Sequence, residues 1–275
     1  MQYLDNYLQS KGGYDYKNVK RNELMKAQGF KEMPFTKTGT TIVGVLFDGG
    51  VVMAADTRAT AGSIVADKNC EKLHVLAPNV WAAGAGTAAD LHHQCAHFNA
   101  KLKLQRLNLN RQSRVNEVIT KLTSKLFPYR GNIGVALIIG GIDCNGPQLA
   151  SVSPHGNYVY HPFQSMGSGS LAALGILEAK FQDGLTKQQA IDLAIEAIEA
   201  GIFHDMGSGS NVDVVAITKD GADYKRNVRQ YNAKSYQRQI PYDFPINNTP
   251  ALRKYQFDIE KQELTEVGQE MEIIE

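Results

Sequence analysis

Thr40, Asp56 and Lys72 lie near the start of the chain and have the side-chain types that nucleophilic catalysis needs. The stretch Gly39-Thr40-Thr41 stands directly before an apolar segment. A threonine hydroxyl is a poor nucleophile until something removes its proton. An α-amine has a pKa of about 7.7–8.0, so near neutral pH a useful fraction is unprotonated and can act as base. A chain that begins at threonine therefore carries nucleophile and base on one residue. Here only a cut between Gly39 and Thr40 creates that pair. A cation beside the amine lowers its pKa further and stabilises the alkoxide that forms. Lys72 is the candidate cation, its burial requires a carboxylate partner, and Asp56 is the candidate for that role.

These residues need a strand pair to position them. Thr40–Phe47 and Val51–Asp56 read as strands flanking Asp48-Gly49-Gly50, a hairpin signal. With a three-residue loop, Phe47 pairs with Val51 and Ile42 with Asp56, which puts Asp56 on the same face as Thr40. A two-residue loop turns Asp56 to the other face, so the expected chemistry calls for the longer loop. Thr40 and Thr41 point oppositely along the strand and are not interchangeable.

Further along, Leu73–Ala77, Val80–Ala83, Ile133–Gly141, Gln148–Ser153, Tyr158–Phe163 and Val212–Thr218 have strand character. Helical stripes run through Leu91, Cys95, Phe98 and Leu102, and through Val115, Val118, Ile119, Leu122 and Leu126. A third stripe takes Leu171, Leu174, Leu177 and Phe181. The fourth opens on Thr186-Lys187-Gln188-Gln189, a capping box, and turns Ile191, Ala194, Ile195, Ile198 and Ile202 inward. Helices grouped between blocks of strands predict an α+β fold of packed antiparallel sheets with helices outside. From Asp223 onward the sequence turns polar and irregular, and Tyr231–Glu275 reads as an extended arm.

The net charge of +1 offers nothing to nucleic acid or a membrane surface. It is unevenly placed: residues 1–39 hold seven Lys/Arg and four Asp/Glu, a balance of +3, leaving −2 for the rest. Three cysteines without close pairing predict a reducing compartment. The longest apolar run, Ile133–Ile142, is half a membrane span, and the N-terminal segment has neither a secretory apolar region nor a transit-peptide composition. Cytoplasm and nucleus is the expected location. His92, His93, Cys95 and His97 invite a metal reading, but there is no HExxH glutamate and no second ligand cluster, so no metal is assigned. GAGTAAD lacks the Gly-Lys-Ser/Thr of a phosphate loop.

The segments TGTTIVG, ADTRAT, ADKNCEKLH, GAGTAADL, MGSGSLAAL and HDMGSGSNVDV, running in order from Thr38 to Thr218, resemble the catalytic beta subunits of the eukaryotic proteasome core. Those subunits are N-terminal-nucleophile hydrolases. Within the family the chain is most similar to the trypsin-like beta type, through Asp67-Lys68-Asn69-Cys70 and the run Gly84–Asp90. The resemblance implies a four-layer αββα sandwich spanning 40–222, a propeptide at 1–39, and a C-terminal arm at 223–275 that reaches a neighbouring subunit. It implies that Thr40 is the nucleophile, freed by autolysis of the Gly39–Thr40 bond, with Asp56 and Lys72 as the ion pair beside it. Ser168, Asp205 and Ser208 would orient the amine and a proton-shuttling water, Gly86 would supply an oxyanion N–H, and Thr60 and Ala88 would pair with substrate as an added strand. Inactive beta subunits lack this complete set, and here every member is present.

The same resemblance implies stacked rings of alpha and beta subunits acting without a cofactor on unfolded, ubiquitin-targeted polypeptide. Two residues after Ala-Ala-Asp, where the trypsin-like type commonly carries an acid, this chain has His92. Asp67 offers a carboxylate at a matching pocket position, Gly84 leaves the pocket roomy, and His74 and Cys70 line it, so cleavage after basic residues is expected. The alternatives are a catalytically silent structural subunit of the same chamber and a small-molecule N-terminal-nucleophile amidohydrolase.

Overall fold

A computed structural model describes residues 17–30 and 38–233. Ahead of the main body, Lys17–Ala27 forms a polar helix, α1. The first sheet is built from β1 (Thr41–Phe47), β2 (Gly50–Asp56), β10 (Phe163–Gly167), β11 (Asn211–Thr218) and β12 (Gly221–Gln230), in the order β10-β1-β2-β11-β12. The second holds β5 (Leu73–Ala77), β6 (Val80–Gly86), β7 (Val135–Asp143), β8 (Gly146–Val152) and β9 (Tyr158–Tyr160) in chain order. Every pairing within both sheets is antiparallel. A small ribbon of β3 (Ala59–Ala61) and β4 (Ile64–Asp67) stands apart from the two sheets. The helices are α2 (Ala88–Leu109), α3 (Val115–Leu126), α4 (Ser170–Lys180) and α5 (Lys187–His204).

Alternation along the strands sorts the side chains into three apolar layers. On β1, Val43, Val45 and Phe47 join Val52 and Ala54 of β2 against α4 and α5, where Leu177, Ala194 and Ile198 meet them. The other face sends Ile42, Val51, Met53 and Ala55 between the sheets against Leu73, Ile138 and Leu149. Leu91, Phe98, Leu102, Ile119, Leu122 and Leu126 of α2 and α3 cover the far side of the second sheet. Each Val, Leu, Ile, Phe or Met among them, fully buried, contributes about 1.5–3 kcal/mol. The result is the expected four-layer αββα sandwich. Every residue of β2 is buried, because this strand lies at the centre of its sheet with apolar layers on both faces.

The helical stripes of α2 and α3 fall where the periodicity predicts. On α5, Ala194, Ile195 and Ile198 are buried as expected, Ile191 and Ile202 are only partly buried, Leu193 and Ala197 complete the buried face, and the Thr186–Gln189 capping box forms at its start. Helix α4 departs from it. Leu171 is 83% exposed, and Ala173 and Leu177 make the buried stripe instead. The single strand expected over Tyr158–Phe163 is two, one in each sheet. Pro162 lacks an N–H and cannot continue a ladder, so the chain crosses between sheets there.

The polar stretch after Asp223 is also corrected. Gly221–Gln230 is the edge strand of the first sheet, so the sandwich extends past residue 222. Its polar composition suits an exposed edge, and an irregularity in the pairing where Asn227 adopts φ 55° turns Val228 inward. The remainder of the expected arm, from Lys234, lies outside the described residues.

Candidate active site

The functional side chains gather because antiparallel strands bring their ends to one edge of the first sheet. Thr40 precedes the start of β1, Asp56 ends β2, Ser168 follows the end of β10, and Ser208 precedes β11. Asp205 follows the last turn of α5, and Lys72 precedes β5 in the facing sheet.

Thr40 is buried, and its Oγ1 donates to the Gly39 carbonyl at 2.6 Å. Lys72 Nζ donates to the same carbonyl at 3.2 Å and to Asp56 Oδ1 at 2.8 Å. The Gly39 carbonyl thus accepts from both the hydroxyl and the ammonium group. The Gly39 N–H donates to Thr60 Oγ1 at 3.2 Å, and the Thr40 N–H donates to Ser168 Oγ at 3.0 Å. Gly39 is held with no space for a side chain, since a Cβ there would stand 2.2 Å from Gly207 Cα. Glycine at this position follows from that close backbone approach.

The hairpin loop differs from the expected one. Phe47 pairs with Gly50 and Ile42 with Ala55, so the loop is Asp48-Gly49, with Gly49 at φ 96°. Gly50 has become a strand residue, where a Cβ would meet Ile217 O at 2.2 Å. By that register Asp56 shares the face of Thr41, not that of Thr40. The ion pair with Lys72 forms all the same, because Asp56 is the last residue of β2 and its carboxylate reaches past the strand end. Asp56 Oδ1 accepts from the Thr41 N–H at 2.9 Å, and Oδ2 accepts from the N–H groups of Arg58 (3.2 Å) and Gly209 (3.1 Å). These backbone donors offset the burial of the carboxylate beside Lys72.

A second network lies under Thr40. Ser168 Oγ and Ser208 Oγ both donate to Asp205 Oδ2 at 2.6 Å, and the Gly207 N–H donates to Oδ1 at 3.2 Å. Burial alone would raise the Asp205 carboxyl, but the two hydroxyls, the Gly207 N–H and the Lys72 charge outweigh it and hold the carboxyl below its ordinary value of 3.8. Thr41 Oγ1 lies 2.7 Å from Ser208 Oγ, with both residues fully buried. Since the one Ser208 proton goes to Asp205, Thr41 is the donor in that contact. The chain of hydrogen bonds therefore runs from Thr41 through Ser208 to Asp205, which Ser168 also approaches, and Ser168 in turn accepts from the Thr40 N–H.

Beside Thr40 is a cleft of about 50 Å³ lined by Ala59, Cys70, Glu71, Lys72, His74, Gly84, Gly86, Ala88 and His92, with Thr38 of the leader also against it. Gly86 ends β6 at φ 127° on the cleft's edge. Burial, then the neighbouring His92, holds the His74 imidazole down at about 4, against a smaller opposing effect of Glu71. The His74 and His92 rings stand edge to face, 5.1 Å apart at their centroids. Burial pushes the Cys70 thiol up despite the Lys72 charge beside it. Asp67, expected in this pocket, does not line it. It ends β4 with its carboxylate accepting the Asn69 N–H at 2.9 Å, an Asx turn at the head of the loop.

Two residues here were not singled out as site residues from the sequence. Thr41 was read only as the strand neighbour of Thr40, and the register that places it over Ser208 depends on the hairpin loop. Glu71 is an ordinary charged residue within ADKNCEKLH until the fold turns it to the cleft.

The pattern that defines the proteasome subunit family matches residues 36–217. The protein named proteasome subunit beta type-7-A of Arabidopsis thaliana is 47% identical over 262 residues, 95% of this chain and 96% of its own length. Proteasome subunit beta type-7 of Dictyostelium discoideum is 49% identical over 245 residues, covering 89% of this chain and 92% of its own. Proteasome subunit beta type-10 of Mus musculus is 42% identical over 264 residues, covering 95% and 96%.

Proposed function

This chain belongs to the proteasome beta-subunit family, and we propose that it is a catalytically active member, a threonine endopeptidase with Thr40 as its N-terminal nucleophile. As a proteasome subunit it assembles with other subunits of the core. The observation that carries the proposal is the Gly39 carbonyl, which accepts from Thr40 Oγ1 at 2.6 Å and from Lys72 Nζ at 3.2 Å. In the uncut chain this sets the hydroxyl and a counter-charge beside the carbonyl that self-cleavage would open. Thr40 Oγ1 adds to the Gly39 carbonyl carbon, the charge that develops on oxygen is met by Lys72, and the C–N bond breaks as the hydroxyl proton passes, through water, to the Thr40 nitrogen, leaving an ester and a free amine. Water then opens the ester, releasing residues 1–39 and restoring the hydroxyl.

In the freed chain the same groups serve peptide cleavage. The new amine takes the place of the Thr40 N–H at Ser168 and acts as base toward Oγ1, directly or through a water. Lys72, paired with Asp56, keeps a positive charge beside the alkoxide. Asp205, held ionised, fixes Ser168 and Ser208, and Gly86 offers its N–H to the developing oxyanion. Thr60, which accepts the Gly39 N–H here, is the group that would accept a substrate backbone N–H in the same place. We assign unfolded polypeptide as substrate, the cytoplasm and nucleus as location, and cleavage after basic residues as the preference. The C-terminal segment is assigned to contact with a neighbouring subunit.

The test compares assembled core particles carrying the parent chain with particles carrying Thr40→Ala, using fluorogenic peptides with arginine before the cut. The parent should cleave them and the variant should neither cleave them nor lose its leader. Equal cleavage by both would refute the assignment.

A further inference from the structure

The Thr40 cleft does not end at His92. A second cleft of about 470 Å³ adjoins it and shares Glu71, His74 and His92 with it, continuing over Trp81, Asn99 and Tyr224. Among the described residues, Glu71 is the one acid lining either space. Its side chain is 56% exposed, and its Oε1 lies 2.6 Å from Arg226 Nη1. Arg226 is itself engaged from below by Asp213, whose fully buried carboxylate lies 2.9 Å from Nε. Two carboxylates thus flank one guanidinium, and of the two only Glu71 faces the cleft. Asp213 is shut away from solvent, so a cation entering the cleft can reach only Glu71. Arg226 also donates to Asn69 at its carbonyl (2.8 Å) and its side-chain oxygen (2.7 Å), which ties down the loop that carries Glu71.

The rest of the wall suits an alkyl stem with a cationic head. Trp81 and Tyr224 stand 5.1 Å apart at their ring centroids along the adjoining cleft. An aromatic wall accepts a methylene chain and attracts a guanidinium or ammonium group. His74, with its imidazole held down at about 4 by burial and His92, stays neutral at physiological pH and does not repel a cation.

We propose that Glu71 is the residue that selects basic side chains, its carboxylate serving as counter-charge to an arginine or lysine of the substrate seated between the His74–His92 pair and the Trp81–Tyr224 wall. The role expected of Asp67 passes to Glu71, which the Arg226 anchor holds in position. This inference rests on the proposed peptidase activity and adds to it the group that reads the substrate.

The test uses assembled core particles and paired fluorogenic peptides that differ only in arginine or norleucine before the cut, with the rate of Thr40→Ala particles subtracted as blank. The readout is the ratio of kcat/KM for the two peptides. Glu71→Gln keeps size and removes charge, and should lower that ratio about tenfold, the order expected for losing one charge-assisted hydrogen bond. Glu71→Asp, which keeps the charge on a shorter stem, should recover part of it. His92→Glu in the Glu71→Gln background should raise the ratio again by restoring a carboxylate to the same wall, and the norleucine rate of Glu71→Gln, which a merely structural role for Glu71 would lower along with the arginine rate, should stay within twofold of the parent. A ratio within twofold of the parent in Glu71→Gln particles overturns the assignment of Glu71 while leaving Thr40-dependent cleavage intact. No Thr40-dependent cleavage of either peptide would overturn the peptidase reading itself, and this inference with it.

Discussion

Replacing Thr41 by valine tests whether the second threonine belongs to the catalytic machinery or only to the strand. Valine has nearly the shape of threonine but no hydroxyl, so the packing against Gly201 and Gly169, where any added atom would lie 2.1–2.8 Å from Thr41, is largely preserved. What is lost is the donor 2.7 Å from Ser208 Oγ in a fully buried setting. An unsatisfied buried acceptor costs about 1–3 kcal/mol. Ser208 and Ser168 share one oxygen of Asp205, at 2.6 Å each, so a shift of Ser208 is passed to Ser168 and hence to the Thr40 nitrogen. If half of the upper figure, about 1.5 kcal/mol, is lost in the transition state, the rate falls by about tenfold, since 1.4 kcal/mol is a factor of 10. Thr41→Ser keeps the donor and gives up one methyl, about 1 kcal/mol of stability, with little effect on rate. The assay is kcat/KM for an arginine peptide in assembled particles, with thermal melting in parallel. Valine should lower the rate about tenfold and serine less than threefold. If serine impaired the rate as much as valine, the hydroxyl relay would be wrong and packing alone would explain Thr41.

Other expectations follow from the same geometry. Lys72→Ala strands the fully buried Asp56 carboxylate, a loss of about 3 kcal/mol or more even with three backbone donors remaining, and should abolish leader removal and cleavage, read by thermal melting and mass. Gly39→Ala forces a Cβ to 2.2 Å from Gly207 Cα, so a time course of leader removal should slow by about tenfold or more. Molecules that do mature should cleave peptides at the parent rate, because residue 39 has left; a slow mature enzyme would contradict this. The Asp205 carboxyl is held below its ordinary 3.8 in the folded chain, so the unfolded chain binds more protons in acid. Its contribution to stability is therefore full above the ordinary carboxylate range and is lost as pH falls through the folded value. Melting profiles of the parent and Asp205→Asn should differ at neutral pH and converge as the pH drops below about 4.

Much of this site was legible before the fold was known, because its parts are carried by residue types with few other uses. A Gly-Thr junction before a strand, a buried-pair candidate in Asp56 and Lys72, and two GSGS turns carry their chemistry in the sequence, and the helix stripes and capping box place the layers around them. What was not legible depended on one-residue register. Asp48-Gly49-Gly50 fits a two- or a three-residue loop equally well as a string, and the choice flips Asp56 across the sheet. The observed loop reverses the expected face, yet the ion pair survives because the carboxylate sits at a strand end, where face matters less than reach. Thr41 and Glu71 escaped notice for the same reason: their roles come from what faces them across the fold. β12 escaped because an exposed edge strand is polar and lacks the apolar alternation that marks buried strands.

The central claim is that Thr40 becomes the first residue of the working chain by its own attack on Gly39. The intact mass of this subunit, taken from assembled core particles, tests it most directly. A mass matching a chain that begins at Thr40 in the parent, with residues 1–39 retained in Thr40→Ala particles, is the predicted result. A mature parent subunit that keeps residues 1–39 while the particle cleaves arginine peptides through it would contradict the account.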